Sequence, residues 1–104
     1  MAKKTDIDGI IKNFINEVKK SIRINYMYLF GSYAKGKDNI NSDIDIAIIS
    51  NDFTGFKFED RKKINPIVLK INTNLEVHPF TLDEYKSNNP FLDEIISTGK
   101  KVYP

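Results

Sequence analysis

With 104 residues and a hydrophobic share of 40%, the chain can bury one modest core, and a single domain spanning 1–104 is expected. A formal net charge of +2 gives no direct argument for a nucleic-acid or membrane surface, and the lack of cysteine excludes a disulfide framework and a thiolate metal site. No apolar run nears the roughly 18 residues of a membrane span, and Met1-Ala2-Lys3-Lys4 does not open a signal peptide, so a cytoplasmic protein is expected.

The first element expected is an amphipathic helix over 6–22. Ile7, Ile10, Ile11, Phe14, Ile15, Val18 and Ile22 recur at helical spacing, with Thr5 or Asp6 as a cap. Residues 24–30 are short, aromatic and apolar and stop at Gly31, which predicts a buried strand. Gly31-Ser32 opens a turn or short helix to about Lys35, and 36–41 is a polar loop. Residues 43–49 form a second strand, with Ile44, Ile46 and Ile48 on one face and Asp43, Asp45, Ala47 and Ile49 on the other. A helix over 57–72 places Ile64, Ile67, Val68 and Ile71 together, and Pro66 predicts a kink or a break with Asn65 capping a second piece. Residues 75–80 make a third strand. Thr81-Leu82-Asp83-Glu84 has capping-box spacing for a short helix. Asn89-Pro90 starts a last helix that ends near Thr98 at Gly99, and 101–103 add an edge strand. Helices alternating with strands in this order imply an α/β layer structure.

Asp43 and Asp45 share one face of a strand, with Cα atoms about 7 Å apart. Bent inward, their carboxylates suit two Mg²⁺ ions at the spacing of two-metal phosphoryl transfer, and two such anions in an apolar run need cations nearby. A solvated edge strand is the alternative for these two residues taken alone. Gly31 at a strand end lets backbone approach a ligand, the N–H groups that follow make an anion site, and Ser32, Lys35 and Lys37 add a hydroxyl and positive charge. Nucleotidyl transfer needs a third carboxylate. Glu76, between Leu75 and Val77, is the candidate if its strand neighbours the second one. His78 shares the face of Glu76 and could bind nucleotide or orient a carboxylate, but a lone histidine is more often a packed or hydrogen-bonded side chain. Asp38, Asp52 and Asp83 are read as turn or cap residues, and the aromatic residues as core and partner surface.

The double motif Leu29-Phe30-Gly31-Ser32-Tyr33-Ala34-Lys35-Gly36 and Ser42-Asp43-Ile44-Asp45-Ile46-Ala47 resembles the minimal nucleotidyltransferases of the DNA polymerase beta superfamily. The segment from Asn89-Pro90-Phe91-Leu92 through Gly99 to Val102-Tyr103 is similar to the end of such a domain. The resemblance implies a nucleotidyltransferase fold, a small mixed sheet of three to four strands packed with helices. It implies that Gly31 and Ser32, aided by Lys35, bind the triphosphate, and that Asp43, Asp45 and Glu76 hold two Mg²⁺ ions and carry catalysis. Glu76 stands where the family usually has Asp, one methylene shorter. Lys35 stands where it usually has Arg, so the charge is kept without the planar fork.

A Mg²⁺-dependent nucleotidyltransferase follows, in which an acceptor hydroxyl attacks the α-phosphate of a nucleoside triphosphate, with ATP as the expected donor. The resemblance suggests a small helical HEPN-type protein as acceptor, adenylylated on a tyrosine, with this chain as the antitoxin of a toxin–antitoxin pair. Two rivals stand beside it. One is a module that neutralises its partner by contact alone. The other is a small-molecule nucleotidyltransferase acting on an antibiotic hydroxyl, which at this size would need a homo-oligomer enclosing a polar cleft.

Overall fold

The computed structural model describes residues 4–31 and 43–104, with the backbone alone for 4–6. Eight elements follow in order: α1 (Lys4–Val18), β1 (Tyr26–Phe30), β2 (Ile44–Ser50), α2 (Lys57–Ile71), β3 (Leu75–Thr81), α3 (Leu82–Lys86), α4 (Pro90–Thr98) and β4 (Lys100–Tyr103). The strands form one mixed sheet in the order β3-β2-β1-β4. β1 runs antiparallel to β2 and β4, whereas β2 and β3 are parallel, which requires a crossover, and α2 supplies it.

Period-two alternation sorts the apolar side chains into two cores. Ile44, Ile46 and Ile48 of β2 join Met27, Leu29, Leu75 and Val77 beneath α1 and α2, with Ile7, Ile11, Phe14 and Val18 from α1 and Ile64, Ile67 and Val68 from α2. On the opposite face, Tyr28, Ala47, Ile49 and Phe80 pack with Leu92 and Ile95 of α4. β2 is therefore covered on both sides, which is why its sequence reads as a nearly continuous apolar run interrupted at Asp45.

Three local expectations are corrected. α1 already runs at Lys4, so Thr5 and Asp6 lie within its first turn instead of capping it. It ends at Val18, whose carbonyl takes the N–H groups of Ser21 and Ile22 at 2.9 and 3.0 Å, and Ile22 is still buried after the helix has closed. α2 continues through Pro66 without a break. Pro66 and Lys62, whose carbonyl loses its helical donor, are both exposed, so water can serve that carbonyl while Ile64, Ile67 and Val68 hold the helix to the core.

The second half of the chain follows its local signals. Thr81 and Glu84 form a reciprocal capping box, the Thr81 hydroxyl accepting from Glu84 N–H at 3.1 Å and the Glu84 carboxylate from Thr81 N–H at 3.0 Å. Asn89 caps α4, with Pro90 at its first position. Gly99 ends α4 with an ordinary backbone. A Cβ there would stand 2.5 Å from the Ile95 carbonyl oxygen and 2.8 Å from that of Leu29, so close approach of α4 to β1 requires the glycine. Lys57 ties the start of α2 to this region through a 3.1 Å ion pair with Glu84, a hydrogen bond to the Pro79 carbonyl and a position 4.2 Å over the Phe80 ring. No helix among the described residues is long and apolar enough to cross a membrane.

Candidate active site

The sheet register brings the predicted carboxylates together. Phe30, the last residue of β1, pairs with Asp45, and Asp45 pairs on its other side with Glu76 of β3. Asp45, Glu76 and, two residues on, His78 project from the face that α3 and α4 cover further along.

Gly31 follows β1 with φ +75°, a left-handed conformation that glycine adopts freely. A Cβ there would overlap the Asp45 carboxylate, lying 3.2 Å from its Cγ. The turn thus folds directly onto the first acidic side chain, and both backbone angle and space demand glycine.

Side-chain donors of Asp45, Glu76 and His78 all lie within 4.8 Å of one another. His78 Nε2 is 3.5 Å from Asp45 Oδ1 and 3.9 Å from Glu76 Oε1. That nitrogen is buried and makes no hydrogen bond among the described residues. Phe30 holds the imidazole edge-on at 5.1 Å between ring centroids, and Phe91 stands 6.4 Å from both rings. Glu76 is about half exposed on the edge strand, whereas Asp45 is mostly covered. Two carboxylates side by side repel at close range, so the cluster favours a cation among them. Two oxygen donors and one imidazole nitrogen this close together suit a divalent metal ion.

Asp43 lies one residue ahead of β2, exposed, and stands outside this cluster. Ser32, Lys35, Lys37 and Asp38 lie outside the described residues, as does the predicted turn and loop over 32–41. Asp52 accepts the Arg23 N–H at 2.8 Å, in keeping with its turn reading. Asp60, which no sequence pattern singles out, is buried at 1% exposure. It accepts hydrogen bonds from Thr54 N–H, Thr54 hydroxyl and Gly55 N–H at 2.8, 2.9 and 3.0 Å, fixing the loop into α2. From sequence, packing is the favoured reading of His78, ahead of orienting a carboxylate. The signal available was its period-two spacing from Glu76, which became informative once β3 was seen to lie beside β2.

A groove of about 230 Å³ adjoins the cluster, lined by His78, Phe80, Phe91, Lys57, Arg61 and Asn89 among others. It offers aromatic faces and a cationic rim beside the imidazole. Phe91, half exposed at 51%, forms its wall and meets the Phe80 ring at 6.0 Å.

Among solved structures, one from Sulfolobus solfataricus assigned to the nucleotidyltransferases is 23% identical with a TM-score of 0.68, covering 95% of this chain and 79% of the other. A toxin–antitoxin structure crystallised with AMP-PNP is 24% identical with a TM-score of 0.63, covering 92% and 72%. A mutant of the toxin–antitoxin MntA-HpeT is 21% identical with a TM-score of 0.60, covering 88% and 70%. At these identities the likeness speaks for a shared nucleotidyltransferase fold. No curated protein matches the chain in sequence. The family model described as polymerase beta, nucleotidyltransferase, matches residues 11–104, from within α1 to the last residue, so it takes in every strand and both paired carboxylates. The chain belongs to the polymerase beta nucleotidyltransferase family.

Proposed function

We propose that this protein transfers AMP from ATP, with Mg²⁺, to a hydroxyl on a small helical HEPN-type partner, acting as the antitoxin of a toxin–antitoxin pair. The observation that carries the proposal is the pairing of Asp45 with Glu76 across β2 and β3, beside a glycine turn folded onto Asp45. Family membership supports nucleotidyl transfer. Likeness to toxin–antitoxin structures, one of them crystallised with AMP-PNP, supports the choice of partner and donor.

In the reaction, the acceptor oxygen forms a bond to the α-phosphorus while the bond from that phosphorus to the pyrophosphate oxygen breaks. The acceptor loses its proton, and pyrophosphate carries away the electron pair. Gly31 and the N–H groups after it, with Ser32 and Lys35, hold the triphosphate in line. Asp45 and Glu76, with Asp43 from just ahead of β2, would supply the oxygen ligands for two Mg²⁺ ions. When bound, Mg²⁺ neutralises phosphate charge and acidifies the acceptor hydroxyl. Glu76, half exposed on the edge strand, would receive the acceptor's proton. Its extra methylene, compared with Asp, extends the carboxylate towards His78.

Transfer of label from [α-³²P]ATP to the co-expressed helical partner tests the proposal. Label on the partner that disappears with Asp45→Asn and with Glu76→Gln is expected. Label unaffected by both variants sinks the assignment of these residues. A stable stoichiometric complex without transfer refutes the enzymatic proposal in favour of neutralisation by contact.

A further inference from the structure

Resting on the proposed metal site and deepening it, we infer that His78 Nε2 is a ligand to the ion held by Asp45 and Glu76, and that this position accepts the Mg²⁺ of the proposed reaction but binds a transition-metal dication such as Mn²⁺ more tightly. Three observations carry this. First, Nε2 is buried with no hydrogen-bond partner among the described residues, although a buried imidazole nitrogen ordinarily has one. Second, it is aimed between two carboxylates, 3.5 Å from Asp45 Oδ1 and 3.9 Å from Glu76 Oε1. Third, donors bound at ~2.1 Å to one octahedral ion stand about 3.0 Å apart at right angles and about 4.2 Å apart when opposite, the range into which both distances fall.

The ring is also held in place. Phe30 packs edge-on at 5.1 Å, and β3 fixes the backbone against Ala47. A nitrogen so placed gains little from Mg²⁺, a hard ion that prefers oxygen and retains water. Imidazole binds the later divalent first-row metals more strongly, while the two carboxylates remain good ligands for Mn²⁺.

Two Mn²⁺ experiments on the intact chain test the inference. Electron spin-echo modulation of the Mn²⁺-loaded wild-type protein is expected to show directly bound ¹⁴N, with no mutation required. Titration by electron paramagnetic resonance, with Mg²⁺ competition, is expected to show tighter binding of Mn²⁺ than of Mg²⁺. His78→Gln lowers Mn²⁺ affinity by about 10–100-fold and leaves Mg²⁺ affinity nearly unchanged, in a protein whose circular dichroism melt remains cooperative. His78→Phe, which refills the space against Phe30, gives the same loss if His78→Gln fails to fold. Mn²⁺ bound without nitrogen modulation overturns the inference. If Asp45→Asn abolishes that binding, the carboxylate metal site itself survives. Mn²⁺ binding that persists at wild-type affinity in Asp45→Asn and Glu76→Gln overturns both.

Discussion

Gly31→Ala separates two demands that the structure places on one residue. Gly31 has φ +75°, and a Cβ would overlap the Asp45 carboxylate. Gly55, at the loop into α2, has φ +94°, but a Cβ there meets only Thr81 Cγ2 at an ordinary 3.7 Å. Alanine at either position must adopt a left-handed backbone, at a cost of roughly 1–2 kcal/mol. For a domain of this size that lowers Tm by about 4–16 °C, at ~4–8 °C per kcal/mol. Only at Gly31 must the Asp45 carboxylate also move. Gly31→Ala therefore loses about 10–100-fold in Mn²⁺ or Mg²⁺ affinity, the scale on which displacing a site residue acts, whereas Gly55→Ala melts early but binds metal as the wild type does. Thermal melts followed by circular dichroism and metal titrations on the three proteins give both quantities. Wild-type metal affinity in Gly31→Ala, or an equal loss in Gly55→Ala, refutes the claim that the turn shapes the acidic cluster.

Asp60→Ala removes the acceptor of three hydrogen bonds and destabilises the fold by about 2–4 kcal/mol, read as a fall in the urea midpoint, with a shift below ~0.5 kcal/mol counting against it. Glu17 bridges α1 and α2, bonded to Lys20 at 2.8 Å and Lys70 at 3.0 Å, and these bonds, Lys20 first, pull its carboxyl from an ordinary 4.5 down to about 2. Because the folded value is depressed, the bridge stabilises fully above pH 4.5 and is lost as pH falls through about 2, so the wild type and Glu17→Gln should converge in urea midpoint towards the acid end of that window. A difference that stays constant with pH would rule out the bridge as its source. High salt narrows the gap near neutrality, since the lysines are exposed.

Much of the scaffold was legible because local physics is written in short patterns. The Thr81–Glu84 spacing and Asn89-Pro90 specify their own helix starts, and each forms as read. Period two in β2 fixes which isoleucines share a face, since a one-residue slip would put Asp45 into the core beneath α1 and α2. The break that Pro66 could impose does not occur, because a local rule meets a tertiary override. Its hydrogen-bond loss falls on the exposed side of a helix held by Ile64, Ile67 and Val68.

The sequence alone determined that Asp45 shares a face with Ala47 and Ile49, that Glu76 and His78 share another, and that a glycine ends β1. These are statements about one strand at a time, and strand alternation guarantees them. Only the tertiary structure decided that β3 lies parallel beside β2 in the register that sets Glu76 against Asp45, because pairing between strands is a contact of long sequence separation. That register turned His78 from a packing residue into the third member of the cluster. It likewise showed why residue 31 is glycine, because the constraint comes from a carboxylate fourteen positions away, across a strand pair that no local pattern encodes.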